Sequence, residues 1–206
     1  MFRFEWKEFG RCSLLVFNNS SFKEEDKVNI LKIGRSDKKN DPFSVGRFGL
    51  GFNTVYHITD VPSLCSNGSI IIFDPLEYKS TATNPGFRID ANNHTEAFQG
   101  YVGCYKSNLF PSFKEEEGTI FRLPLRLEID TTRENISDKP KTFTCDELLN
   151  VIKLDLLKLS KKMLLFLTNL KRVIFSHIPL GCSQKNILYT VPIYFTPPFI
   201  TLILPC

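Results

Sequence analysis

"SVGRFGLGFNTVYHITD", residues 44–60, gathers Gly46, Gly49 and Gly51, three of the chain's 11 glycines, ahead of a helix predicted from Phe52 to Ile58. Glycine carries no Cβ, tolerates positive φ and lets backbone approach a ligand closely. A glycine-rich turn entering a helix offers unpaired N–H groups and the positive end of the helix dipole, a setting suited to phosphate. Phe48 and Phe52 flank the glycines and are expected to anchor the turn in the core. No Lys-Ser/Thr pair follows the last glycine, so this is not a P-loop, and a polar loop precedes it where a dinucleotide fingerprint needs a strand. A tight packed turn with no ligand also satisfies the pattern.

The flanking segments alternate between strand and helix signals. "CSLLVFNNSSF" predicts a short buried strand, Ser13–Phe17, ended by the turn-forming cluster Asn18–Ser21. "FKEEDKVNILKIG" predicts a helix capped by Ser21 with Glu24 three residues on, and stopped at Gly34. "GSIIIFDP" (68–75), "FQGYVGCY" (98–105), "GTIFRLPLR" (118–126) and "KRVIFSHI" (171–178) are predicted strands, and residues 76–95 a loop. Thr144 and Glu147 form a second capping-box signature at the head of a long helical pattern reaching residue 170. Eight basic residues face three acids between Lys139 and Arg172, a solvated helix face or a docking surface for an acidic partner.

Bulk properties exclude several classes. The chain has 206 residues, 42% hydrophobic and 23% charged, enough to bury a core. Its net charge of +4 is mixed along the sequence and gives no footprint for nucleic acid. Six cysteines stand far apart, with no CxxC pair, which predicts free thiols in a reducing compartment. The three histidines lack zinc-ligand spacing, so no metal site is predicted. No charged residue follows Lys185, and Pro192, Pro197, Pro198 and Pro205 interrupt the apolar tail. That tail reads as sequence foreign to the domain, as a core strand pair, or as a membrane anchor; the first is expected.

"FNNSSFKEEDKVNILKIGRSDKKNDPFSVGRFGLGFNTVYHITDVPSL", with "SIIIFDP" and "EEEGTIFRLPLR", resembles the sacsin family (the sacsin/Nov domain) over about residues 8–178. The resemblance implies an ATP-binding module of the ninety-kilodalton heat-shock chaperone type within the GHKL superfamily. The fold expected is α+β, a two-layer α/β sandwich of the Bergerat kind, incomplete at its N-terminus. Its expected organisation is a truncated nucleotide-binding domain at 1–130, a helical extension with a closing strand at 131–185, and the uncharged tail at 186–206. The turn containing Gly46, Arg47, Phe48, Gly49, Gly51 and Phe52 then matches the family's second glycine box, which receives the triphosphate. Thr119 matches the threonine near the adenine, and Lys38 and Lys39 fall in the lid segment.

Three departures qualify what the resemblance implies. The adenine-reading aspartate falls at Asn18, whose carboxamide can accept from the adenine amino group but brings no charge. The glycine expected two places later is Ser20. No Glu-x-x-x-Asn precedes the first strand, so the general base and magnesium ligand of the superfamily are missing from this stretch. Glu25 and Asn29 have that spacing but follow the strand instead. The expected activity is therefore ATP binding without hydrolysis, with magnesium only if an upstream helix is supplied, and no catalytic residue is assigned. The implied partners are the seventy-kilodalton chaperones and client proteins in the cytoplasm. A protein-interaction scaffold and a partial gene product without activity of its own are the alternatives.

Overall fold

The chain's β-branched and aromatic runs build a single eight-stranded sheet. The computed structural model describes residues 12–30, 51–74, 86–94, 96, 99, 102, 105, 118–126, 142–156, 172–178, 186–192 and 199–205; for 28–29, 156, 172, 178, 186–192 and 199–205 it describes backbone alone. The strands are β1 (Ser13–Asn18), β2 (Ser63–Ser66), β3 (Ser69–Phe73), β4 (Gly86–Asp90), β5 (Thr119–Pro124), β6 (Arg172–Ile178), β7 (Asn186–Pro192) and β8 (Phe199–Pro205). Their order across the sheet is β4-β3-β2-β5-β1-β8-β6-β7. Every described pairing is antiparallel except β6 with β8. The helices are α1 (Glu24–Ile30), a 3-10 helix at Phe52–His57, and α2 (Cys145–Val151), which runs on into a π-helical turn at Ile152–Leu156. The architecture is α+β.

Side chains directly opposite across a strand pair share a face, which sorts the core into layers. Val16 lies opposite Phe121, and Phe121 opposite Leu64, so these look out on one face. Leu64, Ile71 and Phe73 on that face are covered by Phe22, Ile30 and Phe52, which seat α1 and the 3-10 helix. Farther along the same face, Leu125 and Phe175 pack on Leu148, Leu149 and Ile152 and so seat α2. The other face carries Leu15, Phe17, Ile70, Ile72, Ile89 and Ile120, packed with Val102 and Tyr105.

Several local expectations are corrected by this geometry. β2 and β3 form a hairpin through Asn67 and Gly68, with φ of 48° and 64°, the left-handed pair of a type I′ turn. Gly86–Asp90, expected to be loop, is the edge strand β4. Gly86 is required by crowding there, since a Cβ would stand 2.3 Å from the carbonyl oxygen of Ile72. In the predicted strand 98–105, the described Gln99 and Val102 are helical. In the tail, expected to be foreign to the domain, β8 lies between β1 and β6, and β7 pairs with β6. Strands from all three expected segments thus join one sheet. Among the described residues, no helix is long and apolar enough to cross a membrane.

The thiols also depart from expectation. Cys12, ahead of β1, is disulfide-bonded to Cys145, the first residue of α2, with Cα atoms 6.2 Å apart. Spacing alone could not reveal this, because 133 positions separate the two in the chain.

Helix starts follow the capping rules, with one shift. Thr144 caps α2 as expected: its Oγ1 accepts from Glu147 N, while Glu147 Oε2 accepts from Thr144 N at 2.8 Å. α1 begins two residues later than expected, where the Asp26 carboxylate accepts from Lys23 N at 3.0 Å. Glu24 is thereby released for other work. It accepts from Arg88 Nη1 on β4 at 2.8 Å and from the buried Lys27 Nζ at 2.7 Å. Those two hydrogen bonds, Arg88's first, hold the Glu24 carboxyl down from 4.5 to about 2. A depressed folded value favours the carboxylate, so the contribution is complete above pH 4.5 and is lost as pH falls toward 2. Acid unfolding followed by circular dichroism should therefore differ between wild type and Glu24→Gln within that window, and less so in high salt because Glu24 is exposed.

Candidate functional site

The turn after β1 ends over a row of three polar side chains on the face that carries α1. Asn18 lies opposite Thr119, and Thr119 opposite Ser66. Thr119 is wholly buried. Its hydroxyl oxygen stands 2.8 Å from the carbonyl oxygen of Ser20 and 2.9 Å from Ser66 Oγ. Ser66 Oγ in turn accepts from Phe22 N at 2.9 Å and lies 3.2 Å from the Gly118 carbonyl. Asn67 Nδ2 donates to Phe22 O at 2.9 Å. The 19–23 connector is thus stitched to the β2–β3 hairpin and to the start of β5. Asn18, half-buried, uses Oδ1 to accept from Ser20 N at 3.0 Å, an Asx turn that closes β1.

The 3-10 helix lies on the same face. Phe52 packs 4.8 Å from Phe73 and 6.1 Å from Phe121, ring centroid to ring centroid, and so pins the helix to the sheet as expected. Gly51 precedes it with φ −58° and ψ −47°, ordinary helical values, and no described residue lies within 4 Å of where a Cβ would stand. Neither positive φ nor crowding by the described residues requires a glycine there.

A buried guanidinium locks the far end of this helix. Arg126 donates to Asp60 through Nε at 2.9 Å and Nη2 at 2.6 Å. It also donates to the carbonyl oxygens of Tyr56 at 2.8 Å and His57 at 3.2 Å, which the 3-10 helix leaves without internal partners. Its backbone N–H adds a bond to Ile58 O at 2.9 Å. The side chains of Arg126 and Asp60 are 0% and 9% exposed, so this fork is the buried electrostatic joint between β5 and the helix. Tyr56 beside it has its hydroxyl pushed up to about 12 by burial and by the Asp74 carboxylate.

Of the predicted site residues, the structure puts Asn18 and Thr119 opposite each other on the sheet face against which Phe52 packs; Gly51, directly before Phe52, is exposed. Gly46, Arg47, Phe48 and Gly49 lie outside the described residues, as do Lys38 and Lys39. Glu25 is exposed on α1, and of Asn29 only the backbone is described. No group of three His, Cys, Asp or Glu side chains that could hold a metal occurs among the described residues. Ser66, Asp60 and Arg126 were not anticipated. The Asn67-Gly68 turn signal would have found Ser66 as a strand end; nothing local marks the other two.

A family model described as the Sacsin domain matches residues 1–190. The chain belongs to the sacsin domain family. Human Sacsin is 34% identical to it over 195 residues, covering 91% of this chain and 4% of the human protein. The Arabidopsis thaliana protein NO VEIN is 32% identical over 68 residues, 32% of this chain and 2% of that protein. This sacsin domain therefore spans a small fraction of the length of the curated relatives it matches. The chain's Asn18, Thr119 and Arg126 all fall inside the matched range.

Proposed function

We propose that this sacsin-family chain is a nucleotide-binding module of the GHKL, heat-shock-chaperone type, which binds ATP without hydrolysing it. The observation that carries the reading is the shared sheet face: Asn18 at the end of β1, Thr119 opposite it, and Phe52, directly after Gly51, packed with Phe22 and Ile30 over the same face. Adenine would meet the Asn18 carboxamide, whose Nδ2 can donate to a ring nitrogen while Oδ1 closes the local turn. The triphosphate would meet backbone amides of the glycine turn, with Arg47 supplying charge. Among the described residues nothing stands within 4 Å of a Cβ built on Gly51, which fits a closely approaching ligand. Thr119 fits less directly, because its buried hydroxyl already serves Ser20 and Ser66; its role is to hold the adenine-side turn in place.

No general base is assigned within this stretch, because Glu25 and Asn29, which have the Glu-x-x-x-Asn spacing, follow β1 on α1. Action alongside seventy-kilodalton chaperones in cytoplasmic protein quality control extends the family resemblance. Thermal melts with ATP-γ-S test the core of the proposal. Ligand at tenfold its Kd should raise the melting temperature by about 3–5 °C, with no phosphate released from ATP and magnesium. A melt unmoved at millimolar ligand overturns the reading.

A protein-docking scaffold is the second reading, favoured by Val151 and Leu154, which are 40% and 59% exposed on the described start of the basic helical segment. Chaperone capture that survives Gly49→Val would select it over the first.

A further inference from the structure

Cys12 and Cys145 meet where α2 docks on the sheet, and both are only half-buried. Cys12 and Leu14 pack against the cluster of Leu125, Leu148, Leu149, Ile152 and Phe175 that seats the helix. The Cys12 carbonyl also accepts from Leu125 N at 2.9 Å. α2 therefore has its own apolar contacts and its Thr144–Glu147 capping box besides the covalent bond. Cys65, by contrast, is 2% exposed inside the opposite layer, out of reach of solvent thiols. Thiol reactivity follows access and thiolate character, so among the described cysteines the half-buried pair is the more accessible to exchange.

We propose that Cys12 and Cys145 are a reversible oxidation site, a dithiol that converts to a staple between β1 and α2 by exchange with a small-molecule disulfide such as glutathione disulfide. One protein thiolate attacks a sulfur of the small disulfide; that S–S bond breaks and one small thiolate leaves and takes up a proton. The second protein thiolate then attacks the protein sulfur of the mixed disulfide, and the other small thiol departs. Two protein thiols and one disulfide give one intramolecular disulfide and two small thiols, with electrons and protons balanced. Closing a loop across 133 positions restricts the unfolded chain, so the oxidised form should melt on the order of 10 °C higher than the dithiol.

The test uses the full chain in a graded series of reduced and oxidised glutathione, with thiols trapped by iodoacetamide and mapped by mass spectrometry. Cys12 and Cys145 should lose alkylation together as glutathione disulfide rises and regain it in dithiothreitol, the melting temperature moving with them. Cys65 should not change. Alkylation at the pair that stays flat across the series, whether always complete or always absent, overturns the proposal, as does pairing of either residue with another cysteine. In Cys12→Ser the melt should stop responding to glutathione while Cys145 becomes a mixed disulfide; a response that persists also overturns it. If that variant does not fold, the wild-type alkylation series decides alone.

Discussion

Arg126→Ala is expected to lower the unfolding free energy by about 3–5 kcal/mol, near the top of the range for a single substitution. Removing the guanidinium leaves the Asp60 carboxylate, 9% exposed, without its countercharge, and leaves two helix-end carbonyls without their donor. Burial decides the size of the effect, since an exposed pair of the same geometry contributes at most about 1 kcal/mol. Arg126→Lys should recover little, because one ammonium cannot span Asp60 and both carbonyls in the plane of the fork. Asp60→Asn should cost less, about 1–3 kcal/mol, since the carbonyl contacts survive. Urea unfolding would show the ordering as a shifted midpoint at constant slope. An Arg126→Ala midpoint within experimental error of wild type would refute the joint. Because this joint fixes the 3-10 helix, its loss should also abolish any thermal shift by ATP-γ-S.

Ile120→Ala is expected to cost about 3 kcal/mol. Ile120 is 0% exposed at the middle of the sheet, flanked by Cys65 on β2 and Phe17 on β1. Truncation removes three carbons from a layer in which Leu15, Ile70, Ile72 and Val102 surround the site, and the strands on both sides prevent collapse into the space. The comparison is Leu154→Ala, 59% exposed, which should change stability by less than about 0.5 kcal/mol. Denaturant midpoints for the two variants measure the contrast; equal shifts would mean that the sheet interior is not packed as described.

Strands with a dense β-branched core were legible from the residues themselves. "SLLVF", "SIIIF" and "TIFRL" are short apolar, β-branched or aromatic runs bounded by turn residues, and they form β1, β3 and β5. The capping box at Thr144 was legible because both partners sit three residues apart. Other signals were present but outweighed. Phe98, Tyr101, Val102 and Tyr105 follow the i, i+3, i+4, i+7 pattern of a helix, although their β-forming side chains suggest a strand. "SNGS" is a hairpin turn whose first strand, "SLCS", is too short and too polar to stand out. The tail's lack of charge suggested foreign sequence, yet its β-branched and apolar run also suits a strand hydrogen-bonded on both sides, as β8 is by β1 and β6. The contacts between distant segments had no local trace. Arg126 and Asp60 are 66 positions apart and Cys12 and Cys145 133, and neither pair lies in a motif. The same limit applied to the site: sequence resemblance picked out Asn18 and Thr119, but only the strand register shows them as neighbours.

The place of β8 bears on synthesis. Leu15 pairs with Ile203, so one side of β1 stays bare until the ribosome has made a segment nearly two hundred codons downstream. Contacts of such long range form slowly. In the interval the nascent chain holds β5 on one flank of β1 and displays an open row of amides and carbonyls on the other, a surface on which stray strands accrete.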